Sequence, residues 1–564
     1  MNAFDRYEQW CTSPVFDVET KKELEAIRDN HDEINDRFYK ELEFGTGGLR
    51  GVIGAGTNRM NIYTVGKATQ GLADYILKQG GSDKGVALAY DSRHMSPEFA
   101  RYAALCLNAN GIKTYLFDKL APTPMLSFAV RRLSCIAGIV ITASHNPAEY
   151  NGYKVYWEDG AQITFPMDKE IIACVNAIDD YAAVKSISEQ EAADLGLFHL
   201  LGEDMEEEYR KELKKMVLSE KELKEAADKI KIVYSPLHGT GNLPVQHILA
   251  ELGFTNVYVV KEQMEPDGNF PTVPYPNPED KGAFKLALQL AKEKDADLVL
   301  ATDPDADRLG VYAKDEKTGE YRMFTGNMSG ILILNYLLSR RQELGILPEN
   351  GAVVKTIVTT RMAEPVAAHY NMKLIDVLTG FKYIGEQMKY FEETGDYIYQ
   401  FGFEESYGCL VEECVRDKDA VSAVMTLCEA AAYYYTKGSS LSEEMDRLYE
   451  TYGYYKEDLA SVTLKGEDGA NKIKAMMEEM RSNPPKTAGG FPVLQMEDYL
   501  SETTGLPKSN VLRFALAEDA WFCVRPSGTE PKIKFYFGVK GSSVKDAEER
   551  LERLKEDVLA YGTR

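Results

Sequence analysis

No apolar run in this sequence is long enough to cross a bilayer. The most apolar stretches, 135–143 and 330–338, are about half the length a membrane helix needs. The opening segment, MNAFDRYEQW, lacks the apolar centre of a signal peptide. Positive charge is in deficit: 65 Lys and Arg stand against 89 Asp and Glu, a net charge of −24. That balance excludes the broad basic face that nucleic-acid phosphates or an anionic membrane would require, while leaving room for local anion pockets. Paired cysteines are missing too. Eight cysteines are scattered through the chain with no CxxC and no zinc-ligand spacing, the pattern of reduced thiols in a cytoplasmic protein. A GxSxG nucleophile elbow and a Walker A loop are both absent. The expectation is a cytoplasmic protein with no nucleic-acid partner, no membrane association and no obligate protein partner.

What is present is an ordinary globular composition, 44% hydrophobic and 10% aromatic over 564 residues. At roughly 100–200 residues per domain, a chain of this length holds several cores. Short runs rich in Val, Ile and Tyr alternate with helical patterns. GVALAY (85–90), IKTYLF (112–117), IAGIVI (136–141), IKIVYS (230–235), FTNVYVV (254–260), ADLVLA (296–301), AVVKTIV (352–358), MKLIDV (372–377) and YIYQF (397–401) are the expected strands. Strands spaced by helices predict α/β domains with parallel sheets covered on both faces. The last hundred residues differ. IKFYFGV (533–539) leads into a charged helix, with Ser543 and Asp546 at capping-box spacing, a smaller α+β unit.

Five loops carry candidate chemistry. In DPDADR, Asp303, Asp305 and Asp307 alternate after an apolar strand. On an extended loop they would point the same way and form an oxygen site for Mg²⁺. An EF-hand is ruled out, because its sixth and twelfth positions would be Arg308 and Lys314 instead of Gly and Glu. TASHNP (142–147) ends another strand, where ligands bind in such sheets, and offers Ser144 as a nucleophile, although taken alone the segment fits a Ser/Asn turn with an Asn-Pro stop better. His145 is adjacent and poorly placed to act as its base. Nearby, YNGYK presents Lys154. RPSGTEPK (525–532) collects Arg525, Ser527, Gly528 and Thr529, a mixture that can cage a phosphate dianion but whose composition also fits a surface turn. GFEESYG (402–408) offers Glu404 and Ser406 for sugar hydroxyls, but its composition equally fits an ordinary acidic turn. FGTGGLRG (44–51) fails the GxGxxG test at Arg50, and its role is to bring Arg50 towards another loop. TGFKYIGE adds Lys382 at a helix N-terminus.

Taken in order, TASHNP, DPDADR, GFEESYG and RPSGTEPK resemble the motifs of the α-D-phosphohexomutase superfamily along nearly the whole chain. EFGTGGLRGVIGAGTNRMNIYTV and TASHNPAEYNGYKVY look most like its bacterial α-phosphoglucomutase branch. The resemblance implies four domains around a central cleft, at 1–202, 203–322, 323–455 and 456–564, three of them α/β and the last α+β. It implies that Ser144 becomes a phosphoserine and that Ser144, Asp303, Asp305 and Asp307 hold Mg²⁺. Lys154 and His145 match general acid and base positions, and Arg50 and Arg308 flank the phosphoserine. Glu404 and Ser406 match sugar-hydroxyl contacts, and Arg525, Ser527, Gly528 and Thr529 the distal phosphate site; Lys382, at its anion-friendly helix N-terminus, is added to them as a substrate-binding candidate. The implied reaction interconverts glucose 1-phosphate and glucose 6-phosphate through glucose 1,6-bisphosphate, with sugar phosphates as partners. Phosphopentomutase and phosphomannomutase activities are the alternatives within this chemistry. A sugar-phosphate phosphatase or a non-catalytic sensor are the alternatives outside it.

Overall fold

The computed structural model describes residues 2–44, 48–464, 466–527 and 532–562. The chain divides into two compact units. The first holds 1–326, 381–395 and 406–437, the second 327–380, 396–405 and 438–564.

The first unit contains two mixed sheets. β1 (Gly48–Val52), β2 (Val86–Tyr90), β3 (Thr114–Phe117), β4 (Ala137–Ile141), β5 (Tyr150–Trp157) and β6 (Phe198–Leu201) form one, in the order β1-β5-β4-β2-β3-β6. β2, β3, β4 and β6 run parallel, joined by helices such as Ser96–Ala109 and Thr123–Arg132. β2 and β4 are buried along their whole lengths, which is why both read as continuous apolar runs. β5 runs antiparallel to both β4 and β1, contrary to the all-parallel expectation. The reason is connection length: residues 142–149 between β4 and β5 are too few for a crossover, so the chain doubles back. Leu72, Phe99, Leu107, Ile139 and Val155 lie in the core of this sheet and its helices.

β7 (Lys231–Ser235), β8 (Asn256–Val259), β9 (Leu298–Thr302), β10 (Leu309–Lys314) and β11 (Tyr321–Phe324) form the second sheet, in the order β11-β10-β9-β7-β8. The same rule acts here. β7, β8 and β9 are parallel, whereas the short link 303–308 turns β10 antiparallel to β9. Three short helices, Ala3–Thr12, Val18–Ala26 and His31–Phe38, add an aromatic cluster in which Trp10 stacks on Phe16 at 4.1 Å.

In the second unit, β12 (Gly351–Thr356) pairs in parallel with β13 (Lys373–Val377) and β14 (Ile398–Glu404). After a turn, β15 (Gly408–Leu410) belongs to the first unit. β16 (Tyr454–Thr463), β17 (Thr487–Ala488), β18 (Phe491–Asp498), β19 (Leu512–Leu516), β20 (Trp521–Pro526) and β21 (Lys532–Gly541) form an antiparallel sheet in the order β16-β21-β20-β19-β18-β17. Its Phe514, Phe522, Phe535 and Phe537 pack with Met477 and Met480 of helix Gly466–Ser482 and Leu554 of helix Val544–Gly562. Ser543 caps the latter through Asp546 N–H at 3.1 Å, but the Asp546 carboxylate accepts from Ser542 rather than closing the expected box. Among the described residues, no helix is long and apolar enough to cross a membrane.

Candidate active site

Ser144 lies three residues past the end of β4. Its backbone is left-handed (φ 52°), a strained conformation for a residue with a Cβ. The loop is pinned at several points. Ser144 N–H donates to Thr142 Oγ1 at 2.7 Å, and the Thr142 hydroxyl donates to Asp91 Oδ2 at 2.6 Å. The wholly buried Arg93 guanidinium donates to the carbonyls of Ser144 (2.6 Å), Pro147 (2.7 Å) and Tyr150 (3.0 Å), and to that of Asn146. On the neighbouring strand only glycine fits at 152, where a Cβ would sit 2.4 Å from the Thr142 carbonyl oxygen. The Ser144 hydroxyl donates to Asp303 Oδ2 at 2.8 Å and lies 3.2 Å from His145 Nδ1, so the adjacent histidine reaches it after all. Burial, with Arg308 and Arg50 nearby, pushes the His145 imidazole well below its ordinary pKa and keeps it neutral.

The aspartate loop is curled, not extended. Asp303 Oδ1 accepts the backbone N–H groups of Asp307 and Arg308, both at 3.0 Å, and Ala306 is left-handed (φ 49°). That curl turns Asp303, Asp305 and Asp307 inward, with one carboxylate oxygen from each inside 4.8 Å of the others. Among the described residues no other cluster of three such side chains meets this condition. Thr240 holds the loop through the Pro304 carbonyl, by its N–H at 2.8 Å and its hydroxyl at 2.9 Å. Gly239 permits the approach, since a Cβ there would lie 2.4 Å from Pro304 Cα.

Three carboxylates this close and this buried repel one another. Burial, with Asp307 and Asp305 beside it, raises the Asp303 pKa well above the usual range. Asp305 goes the other way. Burial would raise it, but Lys154 Nζ at 2.9 Å outweighs that and holds it ionised. Lys154 in turn resists burial because Asp305 and Asp307 (3.7 Å) keep it charged. Lys418 Nζ lies 3.1 Å from Asp307, and Arg308 pairs with Glu279. Asp305 Oδ1 and Asp307 Oδ1 remain buried with no hydrogen-bond donor. Acceptors left this way among hard oxygen ligands fit a divalent cation.

Arg50 lies on β1 and donates to Asn146 Oδ1 at 3.2 Å, so the glycine-rich segment does deliver it to the serine loop. Lys382 begins helix Lys382–Thr394 and lines a cavity of about 350 Å³ with Trp157, Gln162, Glu386 and Lys389. No residue of the Ser144 or aspartate loops lines that cavity. In the second unit, Glu404 ends β14 and is buried. The chain turns after it, so the extended geometry expected to align Glu404 with Ser406 is not formed. Glu405, whose Oε2 accepts from Thr356 (3.1 Å) and Thr359 (3.4 Å), is pushed up to about 7 by burial and by Glu404. Arg525 sits opposite Lys534 across β20 and β21, and Ser527 N–H donates to the Lys532 carbonyl at 2.7 Å. Gly528 and Thr529 lie outside the described residues.

Sequence reasoning missed Asp91, Arg93, Thr123 and Lys418. Thr123 donates to Asp305 Oδ2 at 3.0 Å, and Asp91 accepts from Ser96 at 2.8 Å as well as from Thr142. The available signal was position: DSR follows β2 as TASHNP follows β4, at the same carboxyl-end edge of one sheet.

Four family descriptions match the chain in order. They are phosphoglucomutase/phosphomannomutase alpha/beta/alpha domain I over 41–182, domain II over 207–318, domain III over 325–452, and the C-terminal domain over 479–560. The chain is 37% identical over 536 residues to a phosphoglucomutase of Staphylococcus aureus (strain USA300), covering 93% of this chain and 94% of the relative. It is 37% identical over 532 residues to a phosphoglucomutase of Staphylococcus saprophyticus, covering 92% and 94%. The solved open form of parafusin, a phosphoglucomutase from Paramecium, has the same fold, with a TM-score of 0.71 at 18% identity over 93% of this chain and 95% of that one. With three α/β domains, a C-terminal α+β domain and this likeness along its length, the chain belongs to the phosphoglucomutase/phosphomannomutase family of the α-D-phosphohexomutase superfamily.

Proposed function

We propose that this chain is an isomerase that interconverts α-D-glucose 1-phosphate and glucose 6-phosphate, with Ser144 carrying a phosphoryl group between turnovers and glucose 1,6-bisphosphate as the intermediate. The observation that carries this reading is the Ser144 hydroxyl, 2.8 Å from Asp303 at the edge of the buried three-aspartate cluster. The relatives named phosphoglucomutase, similar over nine-tenths of the chain, support the same assignment.

Asp303, Asp305, Asp307 and the Ser144 oxygen would hold Mg²⁺, which supplies charge neutralisation for the phosphoryl group in flight. The remaining work falls to the chain. When Ser144 takes a phosphoryl group from the bisphosphate, the new Oγ–P bond forms as the sugar O–P bond breaks. The Ser144 proton passes to neutral His145 Nδ1, 3.2 Å away. Lys154, held cationic by Asp305 and Asp307, gives a proton to the departing sugar oxygen. In the opposite transfer both protons retrace their paths. Arg50 and Arg308 offset the phosphate charge. Glu404 and Ser406 are assigned to sugar hydroxyls, Lys382 to an anionic group, and Arg525, Ser527, Gly528 and Thr529 to the second phosphate.

The test is a mutase assay with Mg²⁺ and a trace of glucose 1,6-bisphosphate. It compares glucose 1-phosphate, mannose 1-phosphate and ribose 1-phosphate by kcat/KM while following free phosphate. Glucose preference without phosphate release, abolished in Ser144→Ala with substrate binding kept, is the expected result. Preference for ribose or mannose would move the substrate and keep the chemistry. Phosphate release without isomerisation would overturn the reaction.

A further inference from the structure

Arg93 makes no contact with the aspartate cluster's carboxylates, yet its side chain is spent on the nucleophile loop. Two terminal nitrogens reach four carbonyls, those of Ser144, Asn146 and Pro147 in the loop and of Tyr150 at the start of β5. Its Nε lies 3.5 Å from Asp91 Oδ2, with both side chains wholly buried, and its guanidinium stacks 5.0 Å over Phe270. Asp91 closes the circuit. Its Oδ1 accepts from Arg93 N–H (2.9 Å) and Ser96 (2.8 Å), and its Oδ2 from Thr142, whose oxygen accepts Ser144 N–H. The two backbone polar groups of Ser144 are thus gripped from opposite sides: its N–H through Thr142 and Asp91, its carbonyl by Arg93.

We infer that Asp91 and Arg93 form a brace that holds Ser144 in its left-handed conformation and so aims Oγ at the aspartate cluster. Arg93 is a positioning residue, with no direct role in proton or phosphoryl transfer. Residues held at positive φ need such support from their surroundings, and a planar fork of donors fixed in direction provides it. Lysine cannot reproduce the fork, since its single nitrogen reaches fewer carbonyls from one point. A nucleophile misaimed by an ångström costs rate rather than binding. The inference rests on the mutase reading of Ser144.

The test compares Arg93→Lys and Asp91→Asn with the wild type in the full-length chain. Readouts are kcat and KM for glucose 1-phosphate, and the rate at which Ser144 gains a phosphoryl group from glucose 1,6-bisphosphate, followed by intact mass, with kcat and this rate taken per folded molecule. In Arg93→Lys, kcat and the phosphorylation rate fall about 100-fold while KM stays within about threefold. If Arg93→Lys does not accumulate as folded protein, Asp91→Asn carries the test, with a fall of about tenfold in the same two quantities. A merely structural residue would lower the yield of folded protein and leave both rates per folded molecule unchanged, which would overturn the brace. A change confined to KM would also overturn it. A wild type that isomerises nothing sinks the functional reading and the brace together, whereas an active wild type matched by both variants sinks the brace alone.

Discussion

Thr142→Val removes one oxygen from the serine loop and keeps the side chain's shape. Thr142 is fully buried. Its hydroxyl donates to the buried Asp91 carboxylate at 2.6 Å and accepts Ser144 N–H at 2.7 Å. Valine leaves a charged acceptor one donor short, at a cost of about 1.5–3 kcal/mol, and a buried N–H unpaired, at about 1–3 kcal/mol. Asp91 keeps its bonds from Ser96 and Arg93 N–H, which trims the first figure, so the sum is about 2–5 kcal/mol. In a domain of this size that lowers Tm by about 4–20 °C. Thr142→Ser keeps both bonds and loses a methyl group, about 1 kcal/mol. Differential scanning calorimetry gives the Tm, and hydrogen exchange across 137–157 localises the loss. A Thr142→Val variant within about 1 kcal/mol of wild type, or a serine variant as damaged as the valine one, would refute the argument from unpaired polar groups.

Three further outcomes are expected. Asp303→Asn removes one of three clustered carboxylates, so Mn²⁺ binding followed by electron paramagnetic resonance weakens about 100-fold or more; the roughly 2.7 kcal/mol of stabilisation that a cation at 100 times its Kd gives the wild type falls to about 0.4 kcal/mol or less. Gly239→Ala forces a Cβ to within 2.4 Å of Pro304 Cα, shifts the aspartate loop, and weakens the same Mn²⁺ binding by about tenfold while leaving the β12–β14 sheet untouched by hydrogen exchange. Glu405 and Glu457 are both pushed up to about 7, chiefly by burial, against an ordinary value of 4.5. The folded second unit therefore holds their protons more tightly than the unfolded chain does. The stabilisation is full below about pH 4.5, falls as pH rises, and is lost through about pH 7, a change of roughly 3 kcal/mol per group. Glu457→Gln halves this slope in urea titrations between pH 5 and 8, and an unchanged slope would count against the assignment.

The alternation of apolar strands with helices was legible because parallel strands buried on both faces need unbroken apolar runs, as β2, β4 and β9 have. The reversal at β5 and β10 was legible only from connection length, which the apolar pattern does not encode. The aspartate cluster showed itself because all three carboxylates sit within five residues. Its pairing with cations did not: Lys154 stood out only as a residue of a separate turn and Lys418 not at all, since both arrive from positions more than a hundred residues away. Arg93 was hidden for a different reason. In sequence, DSR is an ordinary polar turn, and only the fold shows that its guanidinium is wholly buried against four carbonyls. The GFEESYG loop misled geometrically, because Tyr407 takes a left-handed conformation (φ 67°) and the chain turns where an extended run was expected.

The burial of Ser144 has a consequence for cellular signalling. With 3% of its surface exposed and its loop tied through Asp91 and Arg93, this serine cannot be drawn out as the extended segment that a protein kinase grips. On the proposed function, a phosphate on Ser144 arrives on a donor small enough to enter the site, and its level would follow the supply of small sugar phosphates rather than the kinases and phosphatases that write on surface loops.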